Sequence, residues 1–403
     1  MNTLSACLIV KNEEKNLREC LHALTDIVDE IIIVDTGSTD KTIEIANEYG
    51  AIIIQSQWEY NFSKARNIAL RQASSDWILS IDADEVLLNP HEVLKTIQNA
   101  QSTVGGFLLS VQSYFDRADG GKDVFTTNLL RLFRNNDAIY FKGIIHEQVL
   151  QTIFSAGLEV AYSEIQFLHK GYNLSPNEMK KKQERNLQLL SFALEKKPHN
   201  SYNLMQRGKT YMALGDNTKA EADLRLSLEH ATTDSIVIPQ SLNYLGIVLF
   251  QRKQVREAIE CANRSLSILP KQGFAQFILG ESYSETKEYT EALRAYKAFE
   301  ASIETPDPLS SVAGEYAIPL EQLWFRFGRT YIQLGNLKEA EISFKKGISF
   351  NKKEVGCLVG LADVSLKLGK KELAIQFLEF AKKLFPDRID IQTFLDTAKS
   401  FNI

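Results

Sequence analysis

Trp77-Ile78-Leu79-Ser80-Ile81-Asp82-Ala83-Asp84-Glu85 is the stretch on which the fold turns. A short apolar run with strand character leads directly into three acidic residues, so a core strand ends where carboxylates begin. Asp82 and Asp84 are two residues apart, which places them on the same side at the exit of such a strand. Two carboxylates so placed can share a hard divalent cation, and Mg2+ or Mn2+ completes its shell with water and substrate phosphates. A D-x-D pair is common in solvated turns; its position immediately behind a core strand is what favours a site here.

Outward from this stretch, residues 3–10, 30–35, 51–55 and 77–82 read as strands, and 13–24, 40–49 and 63–73 as helices between them. That alternation is the βαβ pattern of a parallel sheet, whose ligands collect at the carboxyl ends of the strands. Three strand ends carry polar groups: Lys11-Asn12-Glu13, Asp35-Thr36-Gly37-Ser38 and Asp82-Ala83-Asp84-Glu85. The β-rich runs 105–115, 125–134 and 139–142 follow without regular helices between them, which predicts a mixed or antiparallel extension of the sheet.

From about residue 176 the pattern becomes helical. Gly208, Gly246, Gly280, Gly328 and Ala362 are spaced by 38, 34, 48 and 34 residues, and 12 residues after each comes Ala220, Ala258, Ala292, Ala340 or Ala374. A 34-residue period with small residues where two helices cross closely is the tetratricopeptide signature. The long third interval places an inserted loop near 302–320, on Thr305 to Pro319. The expected organisation is therefore an α/β domain with a mixed sheet over 1–175, a linking helix over 176–199, and an all-α superhelix of about five repeats over 200–403. Lys180-Lys181-Lys182 and Arg185 give the linking helix a positive run, read as a solvated face or as a dock for an acidic or phosphorylated partner.

The chain has 403 residues, 44% hydrophobic and 24% charged, with a net charge of −5, as expected of folded domains. Residues 1–200 carry 20 Lys+Arg against 26 Asp+Glu, and the remainder 26 against 25. Neither half has the basic excess that binding a phosphate backbone requires, so nucleic acid is excluded as an expected partner. Cys7, Cys20, Cys261 and Cys357 form no C-x-x-C pair, which favours a reducing compartment. No apolar stretch reaches the roughly 18 to 20 residues of a transmembrane segment, and the expected location is cytoplasmic.

Leu8-Ile9-Val10-Lys11-Asn12-Glu13, Ile33-Val34-Asp35-Thr36-Gly37-Ser38-Thr39-Asp40-Lys41-Thr42, Asn61-Phe62-Ser63-Lys64-Ala65-Arg66-Asn67 and the Trp77–Glu85 stretch together resemble glycosyltransferase family 2, with its Rossmann-like GT-A fold, over roughly residues 1–175. Phe141-Lys142-Gly143-Ile144-Ile145-His146-Glu147 and His169-Lys170-Gly171-Tyr172-Asn173 extend the likeness toward the lipopolysaccharide-core β-glucosyltransferases and, with the helical tail, the sublancin-type glycocin S-glycosyltransferases.

The resemblance implies an inverting, metal-dependent transfer of a hexose from a UDP-sugar, UDP-glucose or a similar donor, to a peptide, protein or glycan. It places Asp35 on the nucleoside and Lys11, Asn12 and Glu13 along the nucleotide pocket. Asp82 and Asp84 match the metal and sugar-nucleotide motif, with Asp84 the direct ligand of Mn2+ or Mg2+. Arg66 can pair with Asp82 or reach a phosphate, and Arg131 alternates opposite to Leu130 and Leu132, toward the diphosphate. Inversion needs a base for the acceptor proton. Glu147 is taken as that base and His146 as a positioning or phosphate-contacting group, although the sequence fits the exchanged roles equally. His169 is either a third metal ligand or a core histidine.

The repeats offer a surface for a protein partner or a homodimer. A nucleotidyltransferase would place a glycine-rich loop where Lys11-Asn12-Glu13-Glu14 stands. A scaffold with an inactive domain would not need Asp35, Asp82 and Asp84, all of which are present. A transferase acting on cell-envelope glycans stays open beside a peptide-modifying one.

Overall fold

The computed structural model describes residues 2–116, 122–170, 176–232, 236–304 and 318–400. The inserted loop expected over Thr305–Pro319 lies outside the described residues up to Ala317, as do Gly171, Tyr172 and Asn173. Packing divides the chain into two compact units, 1–241 and 242–403. Among the described residues no helix is long and apolar enough to cross a membrane.

The first unit is built on an eight-stranded mixed sheet in the order β3-β2-β1-β4-β7-β6-β8-β5. Strands β1 (Leu4–Val10), β2 (Glu30–Asp35), β3 (Ile52–Gln55) and β4 (Trp77–Ser80) are parallel. Strand β7 (Lys122–Arg134) pairs antiparallel with β4 and with β6 (Val104–Asp116), and β6 runs parallel to β8 (Glu159–His169). β5 (Glu85–Leu87) closes the far edge against β8. Alternation along the strands feeds two cores. Leu4, Ala6, Leu8 and Val10 of β1 join Ile31, Ile33, Trp77 and Leu79 on one face, while Cys7, Ile32, Val34 and Ile78 pack on the other. Helices α1 (Leu17–His22), α2 (Thr42–Glu48), α3 (Phe62–Gln72), α4 (Pro90–Gln98) and α5 (Leu150–Ser155) accompany the sheet.

The sheet must curl. β4 and β5 are four places apart in strand order, about 19 Å across a flat sheet, whereas a link of four residues spans at most about 17 Å even fully extended. The link Ile81–Asp84 is shortened further by a turn in which Glu85 N donates to Asp82 O at 3.0 Å. Curling brings the carboxyl end of β4 within reach of β7 and β8.

Two expectations are corrected here. The strand read through residue 82 ends at Ser80, so the two-residue alternation does not extend to Asp82 and Asp84. Residues 139–142 are not a strand: they contribute only the isolated bridge Lys142–Gln148. Asn67 takes the place of a partner strand there, its amide nitrogen donating to Phe141 O at 3.0 Å and its oxygen accepting from Phe141 N at 2.8 Å. The alternating apolar pattern arises because Ile139 and Phe141 bury their side chains from a loop.

Helices α6 (Pro176–Lys196), α7 (Ser201–Ala213) and α8 (Asn217–His230) belong to the first unit. Helix α9 (Val237–Gln251) crosses into the second, which continues through α10 (Val255–Ile268), α11 (Gly273–Glu285), α12 (Tyr289–Glu304), α13 (Leu320–Gln333), α14 (Leu337–Phe350), α15 (Val355–Lys367), α16 (Lys371–Leu384) and α17 (Ile389–Ser400). The small residues that mark the repeat are fully enclosed: Ala258, Ala292, Ala340, Ala362 and Ala374 have no exposed surface. Phe344 shows why. A Cβ on Gly328 of α13 or on Gly360 of α15 would lie 2.4 Å from its ring, so the aromatic fills space that only two hydrogens leave open. Gly328→Ala should therefore cost about 1–3 kcal/mol by overpacking, read as a lowered denaturation midpoint. Phe344→Leu in the same chain should shrink that penalty, and additive effects of the two changes would count against the wedge.

Candidate active site

At the carboxyl end of β4, two arginines close around one aspartate. Arg66, on the buried face of α3, donates from Nη2 to Asp82 Oδ1 at 2.7 Å, from Nη1 to Ser80 Oγ at 3.1 Å and from Nε to Glu147 Oε1 at 2.5 Å. Arg131, one residue before the Leu132 that pairs with Leu79, donates from Nη2 to Asp82 Oδ2 at 2.6 Å and to Glu85 Oε1 at 2.8 Å. Glu85 Oε2 in turn accepts from the Asp82 amide at 2.9 Å. Helix α3 is aimed by its N-cap: the Asn61 side chain accepts from Lys64 N at 3.0 Å.

Burial would raise the Asp82 pKa, but the Arg131 and Arg66 guanidiniums overcome it and hold the carboxyl well below the usual carboxylate range. Glu85 is displaced the other way. Burial raises its pKa, Arg131 opposes that, and the Asp82 charge adds to it. Both arginines stay charged, because attraction to Asp82 above all outweighs the burial that would favour their neutral forms. Three carboxylates and two guanidiniums thus share one cluster, in which Arg66 joins acids from distant parts of the chain, Asp82 and Glu147, and Arg131 joins Asp82 to Glu85.

Asp84 faces elsewhere. Its Oδ2 lies 3.2 Å from His169 Nε2, at the end of β8 where Glu85 and His169 are register partners, and its carbonyl accepts from Lys170 N at 2.9 Å. Ser113 Oγ lies 3.5 Å from His169 Nδ1 on the other side of the ring. The structure brings Asp84 and His169 together but turns Asp82 to its arginines, because the turn after Ser80 sends the two aspartates apart. Among the described residues no three His, Cys, Asp or Glu side chains are grouped to hold a metal ion.

The ends of β1, β2 and β3 form the neighbouring part of the site. Asp35 is buried and its carboxylate folds its own loop, accepting from Ser38 N and Gly37 N at 3.1 and 3.2 Å and from Ser38 Oγ at 2.5 Å. An open hollow of about 280 Å³ lies beside it, lined by Gly37, Ser38, Gln55, Ser56 and Gln57. Asn12, in the left-handed region at φ 58°, ties the β1 loop to this one: its amide donates to Ser38 Oγ at 3.0 Å and its Oδ1 accepts from Thr39 N at 2.8 Å. Glu13 donates its amide to Thr42 Oγ1 at 2.7 Å. Half-burial raises the Glu13 pKa against a hydrogen bond from Asn16, and the charges of Asp84, Asp82 and Asp40 raise it further. Lys11 is exposed.

The pair His146-Glu147 is split. Glu147 points inward, 9% exposed, and is held by Arg66. His146 is exposed, sits at φ 53°, and its carbonyl accepts from the Tyr202 hydroxyl. Desolvation by the protein around it, then the charges of Lys209, Lys182 and Arg185, lower its imidazole pKa. Phe62 N donates to Ile144 O at 2.9 Å, and Ile145 packs on Leu189 and Leu190 of α6. Among the described residues before 250, Asn12, Tyr60 and His146 are the non-glycine residues with positive φ, and all three lie on loops of this site.

Sequence reasoning missed Glu85 and Ser80, although both stand inside the decisive stretch; the alternation rule directed attention to Asp82 and Asp84 alone. Gln55 ends an ordinary strand and Gln57 follows it, and Tyr202 lies in the repeat region with no local signal of its role.

Residues 5–154 match glycosyl transferase family 2, and residues 202–230 and 321–354 match the tetratricopeptide repeat. A protein of Synechococcus elongatus named as TPR repeat-containing is 30% identical over 261 residues, 63% of this chain and 63% of its own length. The SPbeta prophage-derived glycosyltransferase SunS of Bacillus subtilis is 30% identical over 232 residues, 57% of this chain and 54% of its own. An uncharacterized glycosyltransferase of Rickettsia felis is 40% identical over 87 residues, 22% of this chain and 30% of its own. Each match spans less than two thirds of the relative. Asp35, Arg66, Asp82, Arg131 and Glu147 all fall within the matched segment 5–154, and the chain carries a glycosyltransferase family 2 domain followed by tetratricopeptide repeats.

Proposed function

We propose that this chain is an inverting hexosyltransferase that takes its sugar from a UDP-sugar, UDP-glucose or a close analogue, and delivers it to a peptide, protein or glycan acceptor. The observation that carries this reading is Arg66, whose one guanidinium fixes Glu147 on one edge and Asp82 on another, next to the Asp84–His169 pair. The hollow beside Asp35 supports a nucleoside there, with Gln55 and Gln57 offering amide donors and acceptors to a base.

The residues fit a divalent cation in a two-ligand arrangement. Asp84 supplies a carboxylate oxygen and His169 an imidazole nitrogen, and Mg2+ or Mn2+ held by few protein groups leaves positions for donor phosphates and water. When bound, the cation neutralises charge that develops on the departing diphosphate. Asp82, already satisfied by two arginines, organises the site rather than adding a third ligand. Glu147 takes the acceptor's proton as the acceptor's lone pair attacks the anomeric carbon and the bond to the diphosphate breaks, with UDP leaving. Arg66 orients that carboxylate through Oε1.

Asp84→Ala should abolish UDP release from UDP-glucose while leaving the denaturation midpoint unchanged. Turnover at the unsubstituted rate with Mn2+ present would refute the metal assignment. Chelation of the unsubstituted chain should remove the same activity and added Mn2+ or Mg2+ should restore it. Glu147→Gln keeps an oxygen for Arg66 but no base, so kcat for transfer should fall about 10²–10⁴-fold at an unchanged KM for the donor. A variant that keeps its kcat would move the base elsewhere. No UDP release with any sugar nucleotide would favour a scaffold with an inactive domain.

A further inference from the structure

Outside the cluster around Asp82, two imidazoles meet. His199, in the turn that joins α6 to α7, places Nδ1 2.9 Å from Nε2 of His230, the last residue of α8. The ring centroids are 4.3 Å apart and the ring planes are inclined at 55°. A hydrogen bond of that length running straight from ring to ring would hold the centroids further apart, so the contact is bent away from the linear N–H···N arrangement. Among the described residues neither ring has another hydrogen-bond partner. His199 is exposed and His230 half-buried, so water reaches the pair.

The backbone holds both rings in place. Asn200 N donates to Lys197 O at 3.1 Å, and the Asn200 side chain caps α7 by accepting from Asn203 N at 2.9 Å, which fixes the turn carrying His199. Two residues beyond His199, Ser201 O accepts from Ser227 Oγ at 2.8 Å, about one helical turn before His230. Arg207 of α7 grips Asp223 of α8 through Nε and Nη2 at 2.6 and 2.8 Å. The two imidazoles therefore stand on elements already locked together, as a preorganised ligand pair requires.

We infer that His199 Nδ1 and His230 Nε2 are the protein ligands of a cation site made of other residues than Asp84 and His169, one for an imidazole-preferring divalent transition ion such as Ni2+ or Cu2+. A pair of imidazoles without a carboxylate suits such ions, whereas Mg2+ prefers oxygen. Two nitrogens bound at right angles to one ion, each about 2.0–2.1 Å from it, stand about 2.8–3.0 Å apart, and a tetrahedral ion would spread them wider. The observed 2.9 Å thus favours the tetragonal ions, with water in the remaining positions. Both facing nitrogens must offer lone pairs to the ion, so the proton between them leaves through solvent and is regained on the outer nitrogen of the same ring. Each imidazole stays neutral. Bound there, the ion ties the turn before α7 to the end of α8 and closes the first repeat pair.

The full chain is titrated with Ni2+ by calorimetry in a Mg2+ buffer, and its denaturation midpoint is read with and without Ni2+. One equivalent that depends on both histidines should bind and raise the midpoint. His199→Ala and His230→Ala should each weaken that binding about tenfold or more and abolish the rise. His199→Gln and His230→Gln serve if the alanine variants melt early. Asp84→Ala should keep both signals. Absence of Ni2+ binding, binding or a midpoint rise that persists at unsubstituted strength in either histidine variant, or loss of both signals in Asp84→Ala would overturn the inference.

Discussion

The pairing of Asp82 with Arg66 and Arg131 is the constraint on which the rest of the site depends. Taking charges out of water costs several kcal/mol per ion unless geometry and additional hydrogen bonds compensate. Here both Asp82 oxygens are engaged by arginines and its backbone amide is taken by Glu85. Arg66 satisfies Ser80 and Glu147 with its remaining nitrogens. The network therefore fixes helix α3, strands β4, β5 and β7, and the loop at 143–147 against one another. None of these can shift without stranding a buried charge.

Curvature of the sheet is the second condition. The short link between β4 and the far-edge strand β5 draws β8 around until His169 meets Asp84. The same turn separates Asp84 from Asp82, so two acids two positions apart in sequence meet different partners. Asp82 is held between the arginines, and Asp84 faces His169. Glu13 joins that negative region from β1, its raised pKa reporting burial and the nearby acids. An excess of carboxylates at the rim of a sheet is a setting in which a cation and a diphosphate can meet with little net charge.

The helical part obeys a different rule, close approach through missing side chains. Phe344 fits because Gly328 and Gly360 carry no Cβ, and the repeat alanines vanish entirely from the surface. The first repeat pair, α7 and α8, packs within the same unit as the sheet domain, with Leu189, Leu190 and Tyr202 anchoring helices to the loop of Glu147. That loop consequently has one wall of α/β origin and one of repeat origin.

The succession of strands β1 to β4 along the chain, the acids at their ends and the spacing of the small residues were all legible from the amino acids, because each rests on local periodicity that survives in any context. Family likeness added the grouping of Asp35, Arg66, Asp82 and Glu147. What local pattern could not supply was direction. Residues 139–142 alternate like a strand yet bond to Asn67, and Asp82 and Asp84 share a nominal side yet diverge after Ser80. Those outcomes depend on partners 16 to 85 positions away, from Arg66 to His169, which only the curled sheet brings near. Sequence determined which groups were available and at which strand ends; tertiary structure decided which charge faced which, since pairing energies are set by distances that no periodicity encodes.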